Sequence, residues 1–239
     1  MTNKVLYYSS SKTQNRLELY KDPGEIPYYI SKMYGFNAII DDFYDPLYLG
    51  EKFRSVSLCR PNKPIFLNRI IKTFDVWLNA KKIDFLFLLQ ITPDSMAKML
   101  AYRLGGGNGK IYLKLDLGLY EKKGKDLLIW DNMVFFLKIA HRLFKPLPDL
   151  YTVETKRAYA RLAHSYYSDL IDKEKLYLMP NGFDPEILDE LSIIPQLVSN
   201  KEKILLTVGR IGTHQKNTEL LLDILSHLDF NDWKMYIVA

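Results

Sequence analysis

Lys203-Ile-Leu-Leu-Thr-Val-Gly209-Arg210-Ile-Gly212-Thr-His-Gln-Lys216-Asn217-Thr-Glu-Leu-Leu-Leu-Asp223 changes period in its middle. Ile204 to Val208 is a short apolar run of β type that stops at Gly209. A polar loop follows, and from about Asn217 the residues Leu220, Leu221, Ile224, Leu225 and Leu228 recur at helical spacing. That order predicts strand, loop, helix. In such a unit the loop lies at the carboxyl end of a parallel strand, and the next helix turns unpaired N–H groups and partial positive charge toward it. Arg210 and Lys216 flank the loop, so fixed cations converge where backbone donors already attract an anion. A diphosphate suits such a place.

The same alternation runs upstream. Val5 to Tyr8 is a first strand, Asp22-Pro23-Gly24-Glu25 a turn, Ile26 to Met33 an apolar helical stripe ending at Gly35, and Ala38 to Ile40 a second strand. This is the βαβ opening of a parallel, doubly wound sheet. Helical periodicity over Ile65–Ala80, a strand at Phe85–Leu89, a helix to Leu104 capped by Asp94 or Ser95, and a strand at Ile111–Leu115 continue it. Leu127–Phe144 is a long amphipathic stretch with aromatic residues and interspersed Lys and Arg. Then come a strand at Leu150–Val153, a helix over Lys156–Ile171 and a strand at Leu176–Met179 that runs into Pro180-Asn181-Gly182-Phe183-Asp184. The division expected is a Rossmann-like domain over 1–184, a connection over 185–202 marked by a composition shift and Pro195, and the opening of a second domain over 203–239. One strand–helix–strand unit buries too little surface to stand alone, so the chain is expected to be a piece that ends early in that second domain.

Val208-Gly209-Arg210, the Lys216-Asn217 pair, the Leu-rich helix and Pro180-Asn181-Gly182-Phe183-Asp184 resemble retaining glycosyltransferases of family 4. The resemblance covers Met179 to Asp223 and implies an α/β GT-B fold, in which two Rossmann-type domains are joined. It implies that Arg210 and Lys216, with Gly209, hold the diphosphate of a nucleotide-sugar donor, and that the turn bearing Asn181, Gly182 and Asp184 is the hinge between domains. It puts Gly24 where the family has a glycine-rich loop facing donor and acceptor, although only one glycine stands here; a plain turn glycine is the alternative. It also puts Asp116, after the Ile111–Leu115 strand, near the transferred sugar, where its carboxylate would be catalytic. An aspartate beginning a turn is the alternative there.

The reaction so implied is retaining, metal-independent transfer of a hexosyl group to an acceptor hydroxyl, in surface polysaccharide or glycolipid synthesis. The nucleotide diphosphate sugar is a substrate, and no cofactor or metal is called for. The family's Glu-x7-Glu carboxylates would fall beyond Ala239, so this chain alone is expected to be inactive. Partners would be the nucleotide sugar, a carbohydrate or lipid-linked acceptor, and an anionic membrane surface; nucleic acid is not among them. The rival reading is a non-catalytic α/β protein that binds a partner or a membrane.

Composition narrows the field. The 239 residues are 48% apolar and 26% charged, ample for a buried core, and the net charge is +5. Glu51 to Lys110 holds eleven Lys/Arg against four Asp/Glu, a local surplus of about seven that could face nucleic acid, anionic lipid or a phosphorylated acceptor, a plain solvated basic face being the alternative. Cys59 is the sole cysteine, so no intrachain disulfide forms, and no run is long and uncharged enough to span a bilayer. A cytoplasmic protein is expected, with peripheral attachment at the inner membrane face as the alternative. Gly105–Lys110 is no phosphate-binding P-loop, because Leu104 and Ile111 stand where Gly and Ser/Thr are needed and a strand follows it. Asp41, Asp42 and Asp45 lack the glycine fingerprint of a dinucleotide site. His141, His164, His214 and His227 share no metal-ligand spacing.

Overall fold

The computed structural model describes residues 4–9, 16–41, 43, 51–59, 65–115, 119–122, 125–128, 139, 142–165, 167–209, 211–213 and 216–238. The chain divides into two compact units, Met1–Asp184 and Pro185–Ala239.

In chain order the first unit contains β1 (Val5–Ser9), α1 (Arg16–Leu19), α2 (Asp22–Tyr34), β2 (Asn37–Ile40), β3 (Lys52–Phe53), β4 (Val56–Leu58), α3 (Ile65–Asn79), β5 (Phe85–Leu89), α4 (Pro93–Leu104), β6 (Lys110–Leu115), β7 (Leu119–Lys122), β8 (Lys125–Leu128), β9 (Leu150–Val153), α5 (Lys156–Ala163), α6 (Ser168–Asp172) and β10 (Leu176–Leu178). Eight strands form one sheet in the order β10-β9-β6-β5-β1-β2-β4-β3. All neighbours are parallel except the β3–β4 pair. The chain winds outward from β1 to β4, then returns to β5 on the other side of β1. The strand order therefore reverses between β1 and β5, the crevice where open α/β sheets take ligands at their carboxyl edge.

Alternation along the strands fills two cores. Leu86, Leu88, Ile111, Leu113 and Leu115 face α3 and α4, where Val76, Ala80, Met96, Met99 and Tyr102 meet them. Leu6, Tyr8, Phe87 and Tyr112 point to the other face, against Leu19 and Tyr28. Burial on both faces explains why Phe85-Leu-Phe-Leu-Leu89 is apolar throughout.

Several local expectations are corrected. Gly24 lies inside the first turn of α2, not ahead of it, and a Cβ there would stand 2.0 Å from the Leu19 carbonyl oxygen. The cap of α4 is Thr92, whose hydroxyl accepts from the Ser95 N–H while Ser95 Oγ accepts from the Thr92 N–H. Lys156–Ile171 is two helices, because α5 ends at Ala163 and the Ser165 hydroxyl donates back to the Leu162 carbonyl. The amphipathic stretch expected from Leu127 begins instead in β8, which pairs antiparallel with β7; most of the rest lies outside the described residues.

The second unit contains α7 (Pro185–Glu190), β11 (Ile204–Val208), α8 (Thr218–Ser226) and β12 (Lys234–Val238), the two strands being parallel. The connection is thus partly helical, and α8 stops before Leu228.

At the amino edge of the sheet Arg103 donates to the carbonyls of Gly107 and Gly109 and to Asp149 Oδ2, which also accepts from the Ile111 N–H at 2.9 Å. Burial opposes ionisation of Asp149, but that N–H, Lys110 and Arg103 outweigh it and hold its carboxyl below the usual range. A depressed folded-state value stabilises the fold above the unfolded pKa and ceases to as pH falls through the folded one. Asp149→Asn should therefore cost about 2 kcal/mol at neutral pH. The deficit, measured by denaturant titration, should shrink as pH drops below the normal carboxylate range.

Candidate functional site

At the carboxyl edge of the first unit the strand ends deliver polar groups into one place. Lys114, in β6, is 1% exposed. Its ammonium lies 2.6 Å from Asp22 Oδ2 at the start of α2, 3.0 Å from Glu154 Oε1 just after β9, and donates to Asn181 Oδ1 just after β10 at 3.0 Å. One lysine thus gathers three loops that are far apart in sequence. Both carboxylates stay about a quarter exposed, because Asp22, Glu154, Asn181 and Gly182 line a cavity of about 350 Å³ with Glu18, Tyr20, Lys21 and Leu89.

Beneath it, Tyr112 Oη shares a 2.7 Å hydrogen bond with Thr152 Oγ1 and lies 3.7 Å from Met179 Sδ. Burial pushes the Tyr112 phenol upward despite Thr152, and the charges of Asp22 and Glu154 add to that, so it stays protonated at neutral pH. A second hollow of about 240 Å³ adjoins, lined by Tyr29, Met179, Phe183 and Asp184. Asp184 is buried, accepts from Tyr29 Oη at 2.5 Å and pairs with Arg54, which reaches over from the β3–β4 turn.

The charge balance restricts what fits. The first cavity is lined by Glu18, Asp22 and Glu154 against Lys21, with Lys21 already 3.2 Å from Glu18 and the buried Lys114 paired to Asp22 and Glu154. A phosphate would meet net repulsion here. Hydroxyl groups would find carboxylate acceptors and the Asn181 amide. Gln90, at the end of β5 beside the reversal of strand order, has φ 60°; its N–H donates to the Lys114 carbonyl and its own carbonyl accepts from Ser95 Oγ. Those bonds hold a left-handed conformation that costs a non-glycine residue about 1 kcal/mol.

Next to this site Asp41, wholly buried at the end of β2, takes the Lys72 ammonium at 2.6 Å and the Ser9 hydroxyl at 3.1 Å. Burial works against the Lys72 charge, yet the attraction of Asp41 prevails and the Lys72 pKa is raised; burial and Asp41 together raise Tyr7 and Cys59. Asp41 is thereby occupied in tying α3 to the sheet. Among the described residues no group of three or more His, Cys, Asp or Glu could hold a metal ion.

In the second unit, β11 ends at Val208, just before Gly209, and α8 begins after Asn217, as the sequence pattern predicts. The Thr213 carbonyl accepts from both the Lys216 and Asn217 N–H groups, while Gly212 at φ 71° and Asn217 at φ 45° supply the two left-handed turns. The Lys216 stem lies over Gly209, its Cε 3.4 Å from where a Cβ would sit. Asp116, Arg210 and His214 lie outside the described residues. Of the other residues singled out, Asn181 and Gly182 line the cavity in the first unit, Asp184 lines the hollow beside it, and Gly24 is buried under α1; Gly209 and Lys216 stand together in the second unit. Sequence reasoning missed Lys114, Asp22 and Glu154. A lysine and a glutamate at the ends of predicted parallel strands were the available signal.

No protein-family model matches the chain, and no curated protein matches it. Solved structures do. MnaA from S. aureus, in complex with UDP, is 15% identical over 98% of this chain and 61% of its own, with a TM-score of 0.51. A UDP-GlcNAc 2-epimerase from Methanocaldococcus jannaschii is 14% identical over 99% of this chain and 65% of its own, with a TM-score of 0.48. The wall teichoic acid polymerase TagF is 15% identical over 98% and 55%, also at 0.48. The chain spans less than two thirds of the length of these proteins. The likeness to MnaA is one of fold: an α/β, GT-B-type arrangement with a mostly parallel sheet.

Replacing Lys114 by Met should leave Asp22 and Glu154 facing each other without their cation. Because both carboxylates reach solvent, the cost should be about 2 kcal/mol, below the full penalty of a dry broken pair. It would be read as a lowered thermal midpoint that recovers partly in the Lys114→Met/Glu154→Gln double variant.

Proposed function

We propose that the chain acts in a nucleotide-sugar-dependent glycosyltransferase that moves a hexosyl group to an acceptor hydroxyl with retention at the anomeric carbon. The observation that carries this reading is the carboxylate-lined cavity around Lys114, at the edge of the sheet where α/β folds take ligands and with a charge balance suited to hydroxyls. The first unit would hold the acceptor there, with Asp22 or Glu154 accepting a hydrogen bond from the reacting hydroxyl.

The second unit would hold the donor diphosphate on the loop from Gly209 to Asn217, using Lys216, Arg210 and the first N–H groups of α8. In the reaction the bond from the anomeric carbon to the diphosphate oxygen breaks and one to the acceptor oxygen forms. The hydroxyl proton passes to whichever of the Asp22 and Glu154 carboxylates accepts its hydrogen bond, and the negative charge gathers on the departing nucleoside diphosphate. Cations placed on that charge stabilise the transition state without a metal. Asp116 is proposed to stand near the transferred sugar. The solved structure of like fold, MnaA, is complexed with UDP, which fits a nucleotide-sugar substrate.

Calorimetric titration of the purified chain with UDP, GDP, ADP and CDP tests the donor half. One of them should bind, and Lys216→Ala should weaken it by roughly 10- to 100-fold, the worth of one charge-assisted contact. The absence of binding by any of the four, or an unaltered affinity in the variant, would reject the assignment. Asp22→Asn and Glu154→Gln, assayed for nucleoside diphosphate release in the full gene product, should lower turnover with acceptor while leaving nucleotide affinity unchanged.

A further inference from the structure

Helix α3 is amphipathic in the wrong sense for a core helix. Leu67, Ile70, Phe74, Trp77 and Leu78 follow the spacing of one helical stripe, and each is 42–57% exposed. The inward side is held by Val76, which is wholly buried, and by Lys72, which turns in to Asp41. Helix α4 extends the apolar surface. Its exposed Leu100 and Leu104 stand one turn apart, and the residue after Leu104 packs on the Trp77 carbonyl, 2.3 Å from where a Gly105 Cβ would be. Phe74 and Trp77 stack with ring centroids 5.3 Å apart. Isolated exposed leucines call for no explanation, but a continuous stripe with two stacked aromatic rings does.

We infer that this face of α3 and α4 is a docking surface for an anionic lipid bilayer. The charges around it favour that occupant. From Ile65 to Lys82 the exposed cations are Arg69, Lys81 and Lys82, and the single carboxylate, Asp75, is 4.0 Å from Lys72. Lys81 and Lys82 follow the end of the stripe, where long lysine stems can lie along lipid tails and keep their ammonium groups at the headgroups. Trp and Phe beside such cations belong at a membrane interface. The stripe lies within Glu51–Lys110, the segment with the basic surplus, but Lys72 and Lys98 are taken by Asp41 and Asp94, so the attraction at the stripe rests on Arg69, Lys81 and Lys82. The inference stands whether or not the protein transfers sugars. Among the described residues no helix is long and apolar enough to cross a membrane, so the contact is lateral.

Cosedimentation of the full chain with phosphatidylglycerol/phosphatidylcholine vesicles and with pure phosphatidylcholine vesicles tests it. The protein should pellet with the anionic vesicles, more weakly at high salt, and little with the neutral ones. Phe74→Ser/Trp77→Ser should reduce binding by roughly tenfold or more, through lost apolar insertion. Lys81→Glu/Lys82→Glu, which leaves the apolar stripe untouched, should reduce it on anionic vesicles only, and covers the case in which the first variant does not fold. A wild-type protein that stays in the supernatant with anionic vesicles overturns the inference. So does binding unchanged in both variants, or a self-association in ultracentrifugation that the Phe74/Trp77 variant abolishes while no vesicle binding is seen.

Discussion

The first unit depends on one ammonium group. Lys114 ends in a place almost closed to water, where a charge is tolerable only because Asp22, Glu154 and Asn181 are all within hydrogen-bonding distance. The dependence runs both ways. Asp22 opens α2, Glu154 follows β9 and Asn181 follows β10, so the pairing fixes the positions of three connections that hydrophobic packing alone would leave adjustable. Apolar burial on the two faces sets the sheet; the lysine sets its working edge. The cavity exists because the partners of Lys114 satisfy it from the side and leave their outer oxygens toward solvent.

A division of labour follows between the two ends of the sheet. At the amino edge Arg103 fastens the glycine turn and reaches Asp149, Tyr102 Oη donates to the Ile83 carbonyl, and a Cβ at Gly107 or Gly109 would collide with Tyr102 or the Asp84 carbonyl. At the carboxyl edge the contacts are between residues remote in sequence, and they enclose space.

What was legible in the sequence was whatever short-range pattern determines. Phe85–Leu89, Ile111–Leu115 and the strand–loop–helix at Ile204–Ser226 could be read because an apolar run, a glycine and a change of period lie side by side. The Lys114 cluster could not, since its partners are brought together only by strand order, and Lys114 itself looks like an interruption in an apolar strand. The α3 stripe shows a different limit. Ile70, Phe74 and Leu78 announce a helix with one apolar side, but periodicity does not say whether that side looks inward; here Lys72, drawn to Asp41, turned the other side to the sheet. The β3–β4 and β7–β8 hairpins were too short to leave a periodic trace.

Phe85 to Leu115 is closed at both ends by its own contacts, Thr92 with Ser95 and the Lys114 carbonyl with Gln90 at one, Arg103 with Gly107 and Gly109 at the other. A βαβ unit that seals itself over so short a length pays little loop-closure entropy before its contacts form. It is therefore the natural nucleus of the domain: β1 and β9 can add to its two open edges, and its amides should be among the slowest to exchange with solvent. Lys114, at the carboxyl edge, would then be in place early, and Asp22, Glu154 and Asn181 would be brought to it by the segments that add on either side.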